Sequence, residues 1–230
     1  ISTAGDVLGT DTLTLLTGGT LSLGNTITFN LTDAGLNPGQ TYTLLNLIDG
    51  GITAFGTSNI IQGAMPGGFT AMTWNVTDKL VQVTTGTLIT DKLYWTAGGT
   101  LDNWNDITNW AKTDKNGLTA AVSIPGQGND VYFIADSLTG GGAVSTTLEQ
   151  NFKINSINFE ASTTPANTPS SVTVAPGTLS TARLEVAPQA TSDGIAISTG
   201  GSPSVTISTA LKIGAPQTWN VADTASVLTI

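Results

Sequence analysis

A two-residue hydrophobic alternation, repeated in very short segments, is the feature that most limits the fold of this chain. Triplets such as Leu184-Glu185-Val186 and Leu228-Thr229-Ile230 have the pattern of a strand with one buried face. The same alternation occurs at residues 21–23, 27–31, 74–76, 81–83, 152–154, 157–159, 172–174, 195–197, 205–207, 211–213 and 219–221. Gly and Pro turn residues separate the segments, and helical periodicity is nearly absent. The sequence therefore predicts an all-β fold of short strands.

The missing residue types exclude several kinds of chemistry. The 230 residues include no Cys and no His, which removes disulfides, thiolate nucleophiles, His-dependent triads and the usual zinc, copper and haem ligands. Only 10% of the residues are charged whereas 39% are hydrophobic, so disorder through charge repulsion is not expected. Carboxylate chemistry and hard-cation binding are the options that remain.

The charge balance limits the partners. A formal net charge of −9 argues against binding to nucleic acid or anionic lipid through a basic patch. The longest apolar runs, such as Leu44-Leu45 and Ile60-Ile61, are too short to insert into a membrane. The chain does not begin with Met, so we expect a processed or excised segment. High Thr, Ser and Gly with few Lys favours an extracellular location.

Three regions differ in composition. Residues 1–93 alternate simple strands with a softer Gly- and Ala-rich stretch at 53–70, and are interpreted as solenoid coils or a small β-sandwich. Residues 94–137 hold three of the five Trp and most of the Asn and Asp clustering, which indicates a capping or linking segment. Residues 138–230 carry regular brief strands, which we predict to be β-solenoid coils.

The spacing of the last strands favours a solenoid over a sandwich. The strands at 172, 195 and 219 recur at nearly equal intervals, as do those at 184, 205 and 228. We therefore expect two interleaved columns of inward-facing side chains, with small polar residues facing outward. A β-sandwich would also space its strands every 8 to 12 residues or so, and it stays open as an alternative.

The C-terminal region resembles a known family. The segments Phe152-Lys153-Ile154-Asn155-Ser156-Ile157-Asn158-Phe159, Ser171-Val172-Thr173-Val174, Gly194-Ile195-Ala196-Ile197, Val205-Thr206-Ile207-Ser208, Leu211-Lys212-Ile213-Gly214, Gln217-Thr218-Trp219-Asn220-Val221 and Val227-Leu228-Thr229-Ile230 follow one another in that order. Together they resemble the passenger-domain repeats of bacterial autotransporter-associated β-strand proteins.

A second resemblance lies in residues 94–134. Tyr94-Trp95, Gly98-Gly99, Trp104, Asn109-Trp110 and the run from Pro125 to Phe133 are similar to the Trp-rich segment that precedes the regular coils in large secreted proteins of that kind. The resemblance implies a right-handed parallel β-helix, exported from or displayed on the surface of a Gram-negative cell. It implies no catalytic residue.

Both chain ends read as mid-pattern. Ile1-Ser2-Thr3-Ala4-Gly5 is similar to the continuation of a rung such as Leu228-Thr229-Ile230. Because an uncapped solenoid end exposes a set of strand edges, we expect self-association or tandem neighbours joined head to tail. A glycan or a host surface is a further candidate partner.

Calcium is the one metal for which the sequence offers ligands. Asp102, Asn105 and Asp106 lie in an Asn- and Asp-rich cluster, and Ca²⁺ prefers oxygen ligands. The Gly and closing Glu of an EF-hand loop are missing. Turns formed by bonding to the local backbone are the favoured interpretation, so the sequence predicts no cofactor and only a weak calcium candidate.

The three clustered tryptophans have two possible uses. Trp95, Trp104 and Trp110 could form an exposed platform for sugar rings, or they could cover the open end of a solenoid core. Burying an indole removes on the order of 200 Å² from water, which favours capping. A carbohydrate-binding module that uses these three residues stays open as the alternative function.

The acids do not suggest catalysis. Glu149, Glu160 and Glu185 lie on or near short strands with no partner acid in an obvious position, whereas glycoside hydrolysis needs a spaced carboxylate pair. The sequence therefore predicts a non-enzymatic structural module of a secreted or surface-displayed bacterial protein. A stalk, a filament subunit and an adhesive scaffold all fit that description.

Overall fold

The computed structural model describes residues 26–29, 31, 36–46, 56–62, 65–77, 80–112, 115, 119–133, 136, 141–189 and 193–230. Residues 1–5, which resemble the continuation of a rung in the sequence, lie outside the described residues. Part of the Gly- and Ala-rich stretch at 53–70 lies outside them as well. The described part contains β-strands and three 3-10 turns, at Thr57–Asn59, Ile107–Asn109 and Pro165–Asn167, and no α-helix. The predicted all-β class is confirmed.

The strands are three to six residues long, as the short alternating segments predicted. In chain order they are β1 (Ile27–Phe29), β2 (Thr41–Asn46), β3 (Ile60–Gln62), β4 (Met72–Val76), β5 (Leu80–Thr85), β6 (Leu93–Trp95), β7 (Trp110–Lys112), β8 (Asp130–Tyr132), β9 (Ala143–Thr147), β10 (Phe152–Ile154), β11 (Ser156–Phe159), β12 (Ser171–Ala175), β13 (Arg183–Val186), β14 (Asp193–Ile197), β15 (Ser204–Ile207), β16 (Ala210–Ile213), β17 (Thr218–Val221) and β18 (Val227–Thr229).

The chain divides into two compact units. Unit 1 comprises Ile1–Met65 and Phe69–Leu88, and unit 2 comprises Pro66–Gly68 and Ile89–Ile230. Residues 94–137 and 138–230, which differ in composition, lie within the same unit.

Unit 1 mixes two kinds of strand pairing. Strand β5 lies between β2 and β4 in an antiparallel sheet, and β1 pairs with β3 in parallel. Burial alternates along β5, where Val81 and Val83 are inside. Val81 packs against half-buried apolar side chains that include Phe29 and Trp74. The described part of unit 1 therefore has a one-sided apolar layer.

Unit 2 contains three sheets whose strands are parallel, apart from the β6–β7 pair. The first sheet has the order β7-β6-β8-β11-β14-β17, the second β9-β12-β15-β18, and the third β10-β13-β16. From β8 to β15, each strand is hydrogen-bonded to the strand three places further along the chain. Each pass of the chain thus adds one strand to every sheet.

Inward side chains stack in register between successive passes. Val172 pairs with Val205 and then Leu228, Ile157 with Ile195 and then Trp219, and Leu184 pairs between Phe152 and Leu211. The buried apolar residues of these columns, from Val131 to Ile207, belong to one continuous hydrophobic cluster. Since each column belongs to a different sheet, the core of unit 2 is shared by all three.

The predicted grouping into two columns was right for the last step and wrong for the first. Strand β14 pairs with β17, and β15 with β18, as the spacing predicted. Val172, however, lies in register with Val205 rather than with Ile195, and Leu184 with Leu211 rather than with Val205. The loops between strands differ in length, so equal spacing identified only some of the stacked partners.

No helix in the described residues is long and apolar enough to cross a membrane.

Candidate functional site

An aromatic layer, formed by Trp95, Trp104 and Trp110, lies at the β6–β7 end of unit 2. Trp95 and Trp110 are cross-strand partners on β6 and β7, and their rings meet edge to face at 5.1 Å between centroids. Trp104 meets Trp110 in the same way at 5.3 Å. All three side chains are buried. Such edge-to-face pairs add to the free energy of simple burial.

The aromatic layer contacts the first strands of all three parallel sheets. Trp104 packs against Phe152 of β10, with ring centroids 5.4 Å apart, and its indole Nε1 donates to Thr146 Oγ1 of β9 at 3.1 Å. Trp95 stacks on Phe133, which directly follows β8. The layer therefore covers the β8–β9–β10 end of the stacked core.

The indole N–H groups differ in their bonding. Trp110 Nε1 donates to the Trp104 carbonyl oxygen at 3.0 Å, whereas Trp95 Nε1 is buried without a partner among the described residues. The Thr146 hydroxyl accepts the Trp104 N–H and donates to the Thr173 carbonyl oxygen at 3.2 Å. This polar link between β9 and the aromatic layer was not anticipated from the sequence.

Burial of the three rings argues against the carbohydrate-binding alternative. A sugar platform needs an aromatic face in solvent, but Trp95, Trp104 and Trp110 are each at most 2% exposed. Their faces pack on one another and on Phe133 and Phe152. These residues therefore have no free face for a sugar ring.

The Asn- and Asp-rich cluster folds into local turns. Asp106 Oδ1 caps the Ile107–Asn109 turn by accepting from Thr108 N at 3.0 Å and from Thr108 Oγ1. The hydrogen bond from the Thr108 side chain lowers the pKa of Asp106. Asp102 and Asn105 are exposed. Within the described ranges, no three acidic side chains lie together where they could hold a metal ion.

Asn109 organises the loop that carries Trp104. Its Oδ1 accepts from Gly99 N at 2.8 Å, and its Nδ2 donates to the carbonyl oxygens of Leu101 and Asn103 at 2.7 and 2.8 Å. The side chain is fully buried. Asn109 thus satisfies three backbone groups and positions the loop that carries Trp104.

Asn129 plays a similar part in a second loop of unit 2. Its Oδ1 accepts from Gly126 N at 2.9 Å, and its Nδ2 donates to the carbonyl oxygens of Ile89 and Asp91 at 3.2 and 2.8 Å. Gly126 also lies so close to Gly67 that a Cβ at either position would overlap the other's loop. Gly is required there because two backbones meet.

One outward column carries alternating charges. Lys153, Glu185 and Lys212 occupy equivalent positions on β10, β13 and β16. Glu185 Oε1 lies 3.7 Å from Lys153 Nζ, and Glu185 Oε2 lies 2.8 Å from Lys212 Nζ. The Glu185 side chain is 10% exposed, but that of Lys212 is 55% exposed. This lysine–glutamate column was missed because sequence spacing did not identify which strands stack.

Two other acids fasten turns at the edges of the sheets. Glu149 has a positive φ of 61° and accepts hydrogen bonds from Thr178 N and Thr178 Oγ1, and the bond from that hydroxyl lowers its pKa. For Asp136, burial acts to raise the pKa, but hydrogen bonds from Thr163 and Ser162 outweigh it and lower the value. Both carboxylates bind backbone and hydroxyl groups, which is a structural role.

Tyr132 stands in the outward column of the first sheet. Its ring stacks on Tyr94 at 4.9 Å, and Lys92 Nζ lies 5.2 Å from the ring centroid. Burial raises the pKa of Tyr132 to about 12, with a smaller effect from the charges of Asp130 and Glu160. The phenol is therefore held neutral and is unsuited to act as a base.

The opposite end of unit 2 is open. Strands β16, β17 and β18 each pair on one side only. The large apolar side chains that continue the inward columns are exposed on this last layer, namely Ile213, Trp219, Val221 and Ile230. Trp219 is 43% exposed, although its neighbour in the same column, Ile195, is 1% exposed. We call this surface the C-terminal edge.

The three glutamates Glu149, Glu160 and Glu185 have different surroundings in unit 2. Glu185 belongs to the lysine–glutamate column, Glu149 to the Thr178 turn, and Glu160 follows β11.

Comparison of the chain with family models, with curated proteins and with solved structures finds no match.

Proposed function

We propose that unit 2 is a parallel β-helix that serves as a non-enzymatic structural module, namely a stalk, a filament subunit or an adhesive scaffold. The observation that carries the proposal is the regular pairing of each strand with the strand three places further on, in three sheets at once. One pass of the chain then forms one coil, and successive coils stack. A right-handed path is the expected one for parallel crossovers.

The mechanism is mechanical. In stacked coils, backbone hydrogen bonds run along the axis of the stack, and a dry aliphatic column lies inside each sheet. Ser145, Thr173, Thr206 and Thr229 form one outward column at equivalent positions of the second sheet. Small hydroxyl side chains allow strands to lie about 4.8 Å apart without crowding. Such a stack resists bending and exposes few sites to proteases.

The two ends of unit 2 have different roles in this proposal. The aromatic layer caps the stack, because its rings cover the apolar interior at the first coil. The C-terminal edge joins a neighbour, because unpaired strand edges and exposed aliphatic side chains together favour pairing with another strand layer. Assembly therefore proceeds end to end through the C-terminal edge.

The location and source follow from the resemblance to autotransporter-associated β-strand proteins. An extracellular or cell-surface position on a Gram-negative bacterium fits the absence of Cys and the low content of charged residues. The proposal assigns no cofactor and no catalytic residue. The carboxylates of unit 2 with lowered pKa values form hydrogen bonds that fasten turns.

Electron cryo-microscopy of the native material tests the structural role most directly. We expect elongated particles or filaments with a repeat of about 4.8 Å along the axis, the spacing of stacked strands. Far-ultraviolet circular dichroism should show β-structure, and proteolysis of unit 2 should be slow. A helical spectrum, or two facing antiparallel sheets in place of a stack, would overturn the proposal.

An assay for sugar release separates the structural role from a β-helical lyase or hydrolase. Incubation with acidic and neutral polysaccharides, with and without Ca²⁺, should release no reducing ends and no unsaturated products. Steady release that is lost on replacement of an acid of unit 2 would assign an enzymatic function instead.

A further inference from the structure

The C-terminal edge carries a charge whose counterpart is not on that edge. Along the lysine–glutamate column the order of charge is positive, negative, positive, and the last member is Lys212. Glu185 lies between two lysines, whereas Lys212 has Glu185 on one side and solvent on the other. The column therefore ends on a cation at the open edge.

We propose that the C-terminal edge docks one further coil of parallel β-strands, and that this coil carries Glu or Asp in register with Lys212. The inference rests on the proposed end-to-end assembly and specifies the partner. The first strand of the docking coil has an aliphatic–acidic–aliphatic triplet, which places the acid over Lys212 and the two aliphatic residues over Leu211 and Ile213.

The argument for an acid comes from the cross-strand geometry. Residues in register on neighbouring strands have their Cβ atoms about 5 Å apart, so opposite charges stabilise the pair and like charges destabilise it. Glu185 already meets this requirement between Lys153 and Lys212. A lysine over Lys212 would bring two ammonium groups together beside an apolar edge that docking has desolvated.

The argument for a strand layer comes from the other two sheets. Trp219 on β17 and Leu228 on β18 continue the inward columns of Ile195 and Val205. The edges of β16, β17 and β18 therefore present apolar residues and backbone groups in three parallel rows. A single peptide strand would cover one row, whereas one coil covers all three.

A second copy of the chain does not supply this coil through unit 2. The β8–β9–β10 end of unit 2 is covered by the aromatic layer. Two C-terminal edges facing each other would contribute Lys212 twice, and the only acid within residues 210–230 is Asp223. Asp223 already accepts hydrogen bonds from Gly200 N and Ala225 N at 3.0 and 2.9 Å.

The probe is a copy of the chain's own coil, residues 181–209, added directly after Ile230. This join preserves the local register, because Arg183 pairs with Ala210 in the structure and Glu185 with Lys212. The copied Glu185 then lies over Lys212. The matched control carries Lys at that copied position. The added segment contains no Trp, and Trp219 is the exposed Trp among the described residues, so a change in Trp emission reports docking.

With the acidic extension, Trp219 emission should move to shorter wavelength and its quenching by acrylamide should fall. The basic extension should dock at least about tenfold less, since a like-charge contact replaces an attractive one. Lys212→Glu should restore docking of the basic extension. In Lys212→Gln, which carries no charge at this position, the two extensions should dock equally.

The possible results separate the two proposals. If both extensions bury Trp219 equally in the wild-type background, the charge rule is wrong and end-to-end joining survives. If neither extension changes Trp219, the edge does not accept a coil, and end-to-end joining through it is wrong as well. If the 230-residue chain sediments as a dimer that Trp219→Asp dissociates, a second copy covers the edge and the acidic-coil partner is overturned.

Discussion

Units 1 and 2 are built from the same kind of short alternating strand but pair their strands differently. In unit 1, β4 and β5 follow one another in the chain and are antiparallel neighbours, with Thr77 N donating to the Leu80 carbonyl oxygen. In unit 2 the neighbours in a sheet are three strands apart and parallel. Alternation alone therefore does not decide between local and distant pairing.

The difference affects where the apolar side chains go. In unit 2, parallel strands from successive passes of the chain cover each other's inward residues, so Val172, Ile157 and Leu184 are fully buried. In the described part of unit 1, β2 and β4 hold only half-buried apolar side chains against Val81. Stacking three sheets around one core encloses residues that a single sheet leaves partly exposed. Unit 2 should accordingly depend more strongly on each core side chain.

Trp104→Ala should produce the largest loss. We expect about 3–5 kcal/mol of unfolding free energy to be lost, because removal of a buried indole leaves a cavity within the aromatic layer. Trp74→Ala in unit 1 should cost less than about 2 kcal/mol, since Trp74 is half-buried. Guanidinium denaturation followed by circular dichroism measures both. Equal losses would erase the contrast between the two units.

Asn129→Ala should rank second. The change removes three hydrogen bonds to Gly126, Ile89 and Asp91 inside unit 2, and we expect a loss of about 2–3 kcal/mol. The matched control is Asn75→Ala in unit 1, where an exposed Asn donates to Gln82 Oε1 at 3.1 Å. That control should cost less than about 0.5 kcal/mol. A cost for Asn129→Ala no greater than the control would contradict its role as an organiser of the loop.

Glu185→Gln should have a smaller effect that depends on salt. We expect about 1–2 kcal/mol of unfolding free energy to be lost, because removing the charge of this poorly exposed carboxylate leaves Lys153 and Lys212 without their anionic partner. The control Asp91→Asn breaks a more exposed ion pair with Lys112 at 3.8 Å and should cost less than about 0.5 kcal/mol.

High salt provides a further contrast. It should reduce the difference between wild type and Glu185→Gln in unit 2. The cost of Asn75→Ala in unit 1 should not change with salt, since Asn75 and its partner Gln82 are uncharged. A cost of Glu185→Gln that salt leaves unchanged would show that its charge does not stabilise unit 2.

Acid should produce the smallest effect, which we expect at Glu149 of unit 2. The pKa of Glu149 is lowered in the folded state by the Thr178 hydrogen bonds, so this carboxylate stabilises the fold above its ordinary pKa of 4.5. The contribution is lost as the pH falls through the lowered value. Wild type should exceed Glu149→Gln in unfolding free energy at neutral pH, and the two should converge in acid. A constant difference at every pH would exclude this linkage.

Several features could be predicted because they depend on local patterns. The strands at 152–154, 172–174, 195–197 and 205–207 were identified from apolar alternation alone, which reflects one buried face per strand. The turn role of Asp106 likewise follows from short-range bonding. Burial of Trp104 was favoured on the basis of its apolar area. Its hydrogen bond to Thr146 joins residues 42 positions apart, so no local sequence pattern indicates it.

Which strand stacks on which could be obtained from spacing only in part. Stacked residues are separated by 33 positions from Val172 to Val205 but by 23 positions from Val205 to Leu228. Every triplet has the same apolar–polar–apolar form, so a strand pairs equally well in principle with several others. Loop length and the packing of three sheets together select the partner.

The amino-acid order by itself determined the short strands, their buried faces and the absence of Cys and His chemistry, because each of these depends on residue type and on contacts between near neighbours. Tertiary structure decided that Lys153, Glu185 and Lys212 form one column, that Asn129 clamps a distant loop, and that Trp219 is left exposed. These outcomes depend on which strand pairs with which, and that is set by long-range parallel pairing across loops of unequal length.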